Sequence, residues 1–145
     1  MFLQEELGDN VTAIRHVHLY DSFTKQSTKP MKDFLENNNI PYNYYYFSRE
    51  TMSDEILNVE TQYEATMPMI VVEAVTTDSE FINEVDENGE YVFEEKEDGY
   101  IYPVLKEIFF KKSIEVVYDN IEKLNNSKLL EKVSELGVKD VTEDN

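Results

Sequence analysis

The sequence predicts an α/β fold. Strand-like and helix-like segments alternate over residues 14–75 in the order strand, helix, strand, helix, strand. A period-two run at 14–20 leads through a polar passage, 21–27, into a helix that starts at Thr28 and carries Pro30 in its first turn. An apolar run at 69–75, broken only by Glu73, has the length and composition of a buried strand. Alternation of this kind favours a sheet flanked by helices, with at least one right-handed parallel crossover.

In chain order, residues 1–10 place Phe2, Leu3 and Leu7 among acids before Gly8-Asp9-Asn10, a short helical or strand-like lead that ends in a turn. In the next strand the period of two puts Ile14, His16, His18 and Tyr20 on one face and Ala13, Arg15, Val17 and Leu19 on the other. Apolar members on both faces predict an interior strand. The helix from Thr28 presents Met31, Phe34 and Leu35 on one side and stops at Asn37-Asn38-Asn39, and Ile40-Pro41 forces an extended approach to an aromatic strand over 42–47. Ser48 or Thr51 caps a second helix carrying Ile56, Leu57, Val59 or Glu60, and Tyr63, which Ala65-Thr66-Met67-Pro68 breaks.

Beyond the third strand, 81–85 and 91–93 flank Asp86-Glu87-Asn88-Gly89, a hairpin signal, and Gly99 closes an acidic turn over 94–98. Val104, Leu105, Ile108 and Phe109 predict one helix, and Ile114, Val117, Tyr118, Ile121 and Leu124 a second. Ser127 caps a third, with Leu129, Leu130, Val133 and Leu136, that stops at Gly137. The expectation is a single domain over 1–145. It has an α/β core over 11–100 with its hairpin at 81–93, C-terminal helices over 101–137 and an acidic tail over 138–145.

The totals narrow the function. With 31 Asp and Glu against 13 Lys and Arg, the net charge of −18 repels phosphate backbones and anionic lipid surfaces, which argues against nucleic acid and membrane as direct partners. Solubility is the simple reading of that charge; attraction to a basic partner surface is the sharper one. The absence of cysteine excludes disulfides, thiol redox chemistry and thiolate metal sites. Without a signal-like or long apolar run, a cytoplasmic location is expected.

Three pieces of the 14–75 run resemble the glutaredoxins, the smaller branch of the thioredoxin-like fold. They are Val17-His18-Leu19-Tyr20 leading into Met31-Lys32-Asp33-Phe34-Leu35, then Asn39-Ile40-Pro41-Tyr42, then Thr66-Met67-Pro68 ahead of Met69-Ile70-Val71-Val72. The resemblance implies a thioredoxin-like mixed sheet flanked by helices; the expected β-hairpin insertion and additional C-terminal helices depart from the family's pattern. It implies a cis proline at Pro68, where the backbone before the proline pairs with substrate. It also lays Lys25, Gln26, Ser27 and Thr28 on the family's Cys-Pro-Tyr-Cys positions. Neither an ammonium nor an aliphatic hydroxyl replaces a thiolate, so the redox activity is expected to be absent. The family's glutathione motif after its last strand has no counterpart, and no cofactor is expected.

Other candidates are few. Lys25, Ser27 and Thr28 could hold an anion at a helix start, although an ordinary N-cap explains them more simply. Thr66-Met67-Pro68 could present a backbone edge to an extended peptide, or only set the fold. His16 and His18, two apart on a strand, suit a metal if a carboxylate joins them. Without a second His pair or any Cys, structural histidines are the preferred reading and no metal is expected. Phosphate-binding glycine motifs are absent, and no nucleophile with a base stands out, so an enzyme is not expected.

Alternate tyrosines of 42–47, Tyr42, Tyr44 and Tyr46, are a candidate protein interface. The expectation is therefore a redox-inactive thioredoxin-like interaction or structural module of a larger assembly. The Asn-, Lys-, Tyr- and Ile-rich composition suggests a low-GC genome and a bacteriophage virion or assembly component, in the host cytoplasm or the virion. The alternative is an acidic DNA mimic that occupies a DNA-binding protein.

Overall fold

The structure, a computed structural model, describes residues 6–23, 27–48 and 53–139. The chain divides into two compact units, one of Met1–Thr76 with Ser113–Asn145 and one of Thr77–Lys112. The first holds β1 (Val11–Ser22), α1 (Lys29–Asn37), β2 (Asn43–Phe47), α2 (Ser53–Tyr63), the start of β3 (Met69–Asn83), the end of β6 (Leu105–Tyr118), α3 (Ile121–Asn125) and α4 (Leu129–Leu136). Its sheet has the order β2-β1-β3-β6, with β2 parallel and β3 antiparallel to β1. This is the α/β arrangement expected, a mixed four-stranded sheet flanked by helices.

Each face of the sheet has its own core. On one, Ile14, Val17 and Leu19 of β1, Ile70 and Val72 of β3 and Ile114, Val116 and Tyr118 of β6 pack with Met31 and Leu35 of α1, Leu124 of α3 and Leu129 of α4. On the other, Met69, Val71 and Val117 pack with Tyr63 of α2, and Tyr20, Phe47, Ile56 and Val59 join them. The strict alternation expected of β1 is broken. Ile14 pairs with Ala74 and His16 with Glu73, so two steps of β1 oppose one of β3. A β-bulge of this kind moves Ile14 to the face of Val17 and Leu19, away from His16, His18 and Tyr20.

The two helices expected over 104–124 are instead β6 and the short α3. Ile114, Val116 and Tyr118 face one core and Val117 the other. A strand covered on both faces is almost continuously apolar, and a helical spacing of three and four can be picked out of it. The third helix forms as α4, and Gly137 ends it at φ 72°, a backbone region that favours glycine. Lys128 is its N-cap, while Ser127 accepts the Leu129 N–H from one position further out. Of the expected tail, Val138 bridges to Ile14 and the Lys139 N–H donates to the Ile14 carbonyl; 140–145 lie outside the described residues.

The second unit contains β4 (Phe93–Glu95), antiparallel to β5 (Ile101–Pro103). The Asn88-Gly89 turn forms as expected: Asp86 accepts the Asn88 and Glu90 N–H groups, Gly89 has φ 79°, and Val85 bridges to Tyr91.

The Tyr118 hydroxyl is buried without a well-formed hydrogen bond: the neighbouring Ser127 hydroxyl donates to the Leu124 carbonyl and accepts from Leu129, and only its second lone pair is left for a weak contact with the phenol. Burial pushes the Tyr118 phenol up to about 12. Tyr118→Phe removes the unsatisfied group and keeps the ring, so it is expected to raise stability by about 1 kcal/mol, read as a higher urea midpoint at unchanged m-value.

Candidate functional site

The carboxyl end of β1 is organised by a buried carboxylate. Asp21 and Ser22, assigned from sequence to a polar passage, belong to β1 and are each only 6% exposed. Asp21 Oδ1 accepts the Ser22 N–H at 2.8 Å, and Oδ2 accepts the Thr28 hydroxyl at 3.1 Å and the Tyr44 hydroxyl at 2.6 Å. One side chain thus ties the end of β1 to the start of α1 and to β2.

Of the four positions matched to the family's active site, Lys25 and Gln26 lie outside the described residues. Thr28 is the N-cap of α1, but its hydroxyl is turned to Asp21 instead of capping, and Ser27 Oγ accepts the Lys29 N–H. An anion approaching this helix start would meet the Asp21 charge, so the geometry disfavours an anion site.

The Met67-Pro68 peptide bond is cis. Because Tyr20 pairs with Met69, the turn borders the carboxyl end of β1. Met67 and Pro68 are buried and Thr66 is exposed. The Met67 N–H, the donor an added peptide strand would need, is taken by the Glu60 carboxylate at 2.7 Å. Sequence reasoning placed Glu60 on the helix but had no signal for this contact, which depends on how α2 ends.

The tyrosines of β2 divide by face. Tyr44 lies under the Lys32 ammonium, 4.1 Å from its ring centroid, and Tyr42 donates to Glu36, so the α1 side engages both. Tyr46 is 53% exposed beside Tyr44. Tyr45 points the other way, stacked on Tyr20 at 5.0 Å. β2 is an edge of the sheet, where backbone groups are available for strand addition.

On the α2 face, His16, His18 and Glu73 come together, with one ligand atom from each within 4.8 Å of the others. His18 Nε2 contacts Glu73 Oε2 and its Nδ1 lies 3.4 Å from Asn43 Nδ2. The unbroken β1–β3 register from His16↔Glu73 to Tyr20↔Met69 brings Glu73 beside both histidines, and Glu73 is the carboxylate that sequence spacing could not identify.

On the same face Tyr63 donates to Glu115 at 2.9 Å. Burial first, then that hydrogen bond, pushes the Tyr63 phenol far up; burial also raises Tyr20. Tyr44 is pushed up to about 12 by burial and then by its bond to Asp21. These groups hold their protons more tightly when folded than when unfolded. Their contribution is fully present below about pH 10, where both states are protonated, and is lost as pH rises from there through the folded values. The urea midpoint is therefore expected to stay flat from pH 8 to 10 and fall above it. Tyr63→Phe should lessen the fall, and an unchanged slope in that variant would reject the assignment.

The second unit is distinguished by its exposed surface. None of residues 77–112 is buried. Phe81, Tyr91, Phe93, Tyr100, Ile101, Leu105 and Phe109 are each more than half exposed. Among the described residues, no helix is long and apolar enough to cross a membrane. Comparison of the chain with protein-family models, with curated proteins and with solved structures gives no match.

Proposed function

We propose that the chain is a redox-inactive, thioredoxin-like protein-binding module of a larger assembly. The order β2-β1-β3-β6, the parallel β1-α1-β2 unit and the cis proline directly ahead of β3 support the thioredoxin-like reading. The absence of any thiol supports the redox-inactive one.

The observation that carries the proposal is the exposed aromatic and aliphatic surface of Thr77–Lys112. A soluble unit of this size leaves such a surface open when a partner covers it. Eleven acidic residues and four lysines surround those side chains, so the matching partner surface is apolar with a Lys- and Arg-rich rim. A virion or one of its assembly intermediates is the setting to test first.

The test compares the tagged full chain with a Phe81→Ser, Tyr91→Ser, Phe109→Ser variant, each crosslinked in the cells that produce it. The native chain is expected to capture a partner that resists high salt and that the variant loses. Identical capture by both would overturn the proposal. Capture of a DNA-binding protein that is released as salt rises would transfer support to the acidic-mimic reading.

A further inference from the structure

We infer that His16, His18 and Glu73 form a binding site for one divalent transition-metal ion, with zinc the best fit. Two imidazoles and one carboxylate are a borderline-soft donor set suited to zinc, copper, nickel or cobalt and ill suited to calcium or magnesium. His16 stands directly across from Glu73 in the β1–β3 register, and the His16 and His18 rings are stacked at 5.4 Å with only 21° between their planes. Their ligand atoms and that of Glu73 already lie within 4.8 Å of one another. Ligand atoms about 2.0–2.2 Å from a tetrahedral ion stand roughly 3.4 Å apart, so side-chain rotation alone closes the site. The three residues leave a fourth position open to water or another ligand.

The surroundings fit a ligating role. His18 has its Nδ1 beside the Asn43 side-chain amide and its Nε2 toward Glu73. The Asn43 amide nitrogen faces Nδ1 and the Nε2 proton faces Glu73, so an ion binding at Nε2 displaces that proton, and a flip of the Asn43 amide lets Nδ1 donate to its oxygen instead. Tyr45 and Tyr20 flank the His18 ring at 5.6 and 6.1 Å and give the site an apolar side. The His18 side chain is 12% exposed and that of Glu73 38%, so an ion can enter from solvent. The overall negative charge concentrates cations around the chain. The alternative is a plain His18–Glu73 ion pair.

Calorimetric titration of the full chain with Zn²⁺, at physiological salt and with excess Mg²⁺ to occupy loose carboxylates, decides between them. One Zn²⁺ per chain is expected. His16→Ala, His18→Ala and Glu73→Gln should each weaken it by about a hundredfold or more, and Asn43→Ala by about tenfold. Co²⁺ in place of Zn²⁺ should give the visible absorption of a four-coordinate ion, lost in Glu73→Gln. No stoichiometric binding under these conditions, or binding that survives both His18→Ala and Glu73→Gln, would overturn the inference. Glu73→Gln preserves side-chain size, so the test stands even if an alanine variant fails to fold.

Discussion

Asp21→Ala is expected to lower stability by about 3–4 kcal/mol, a large share of what a domain of this size holds in reserve. The substitution leaves the Ser22 N–H, the Thr28 hydroxyl and the Tyr44 hydroxyl without the carboxylate that accepts all three. Hydrogen bonds to a charged group contribute about 1.5–3 kcal/mol each, and water reaching the half-exposed Thr28 and the exposed Tyr44 recovers part of that. Asp21→Asn keeps an acceptor and lets the hydroxyls reverse, so its cost should be about 1 kcal/mol. Tyr44→Phe should cost a similar amount. Because the two residues share one network, Asp21→Ala combined with Tyr44→Phe should cost less than the sum of the separate changes. Urea unfolding of the four variants measures this. A loss below about 1 kcal/mol for Asp21→Ala would mean that the end of β1 is held by its strand pairing alone.

Asp21 also shows where the sequence stops being readable. An acid followed by Ser, Phe and Thr reads as a solvated loop, and the donor that makes its burial tolerable, Tyr44, is brought alongside only by the parallel β1–β2 register. Local signals were sufficient for β1, α1, β2, α2 and the start of β3, and for the turn at Gly89, because each combines its own periodicity with a nearby stop such as Pro41, Pro68 or Asn88-Gly89. They failed at β6, whose end, 114–118, is covered on both faces and so loses the period-two pattern, and whose exposed start carries Leu105, Ile108 and Phe109 at helical spacing. They also failed for Glu73 and Glu60. Glu73 joins the histidines through cross-strand register, and Glu60 reaches the Met67 N–H through the way α2 ends, and neither leaves a local trace.

The bulge in β1 takes Ile14 off the face that carries the histidine cluster, and Ile14→Ala tests it. With strict alternation Ile14 and His16 would share a face and a similar environment, and truncating either would cost about the same. With the bulge, Ile14 is 1% exposed among Val17, Leu19 and the residues of β3 and β6, while His16 lies on the opposite, half-open face. Ile14→Ala is then expected to lose about 3–4 kcal/mol, from the lost transfer of the removed methyl groups and from a cavity that a strand pinned by Ala74 and by the Val138 bridge cannot close. His16→Ala should lose less than about 1 kcal/mol. Both are read from urea midpoints at constant m-value. Equal losses would put Ile14 and His16 back on one face.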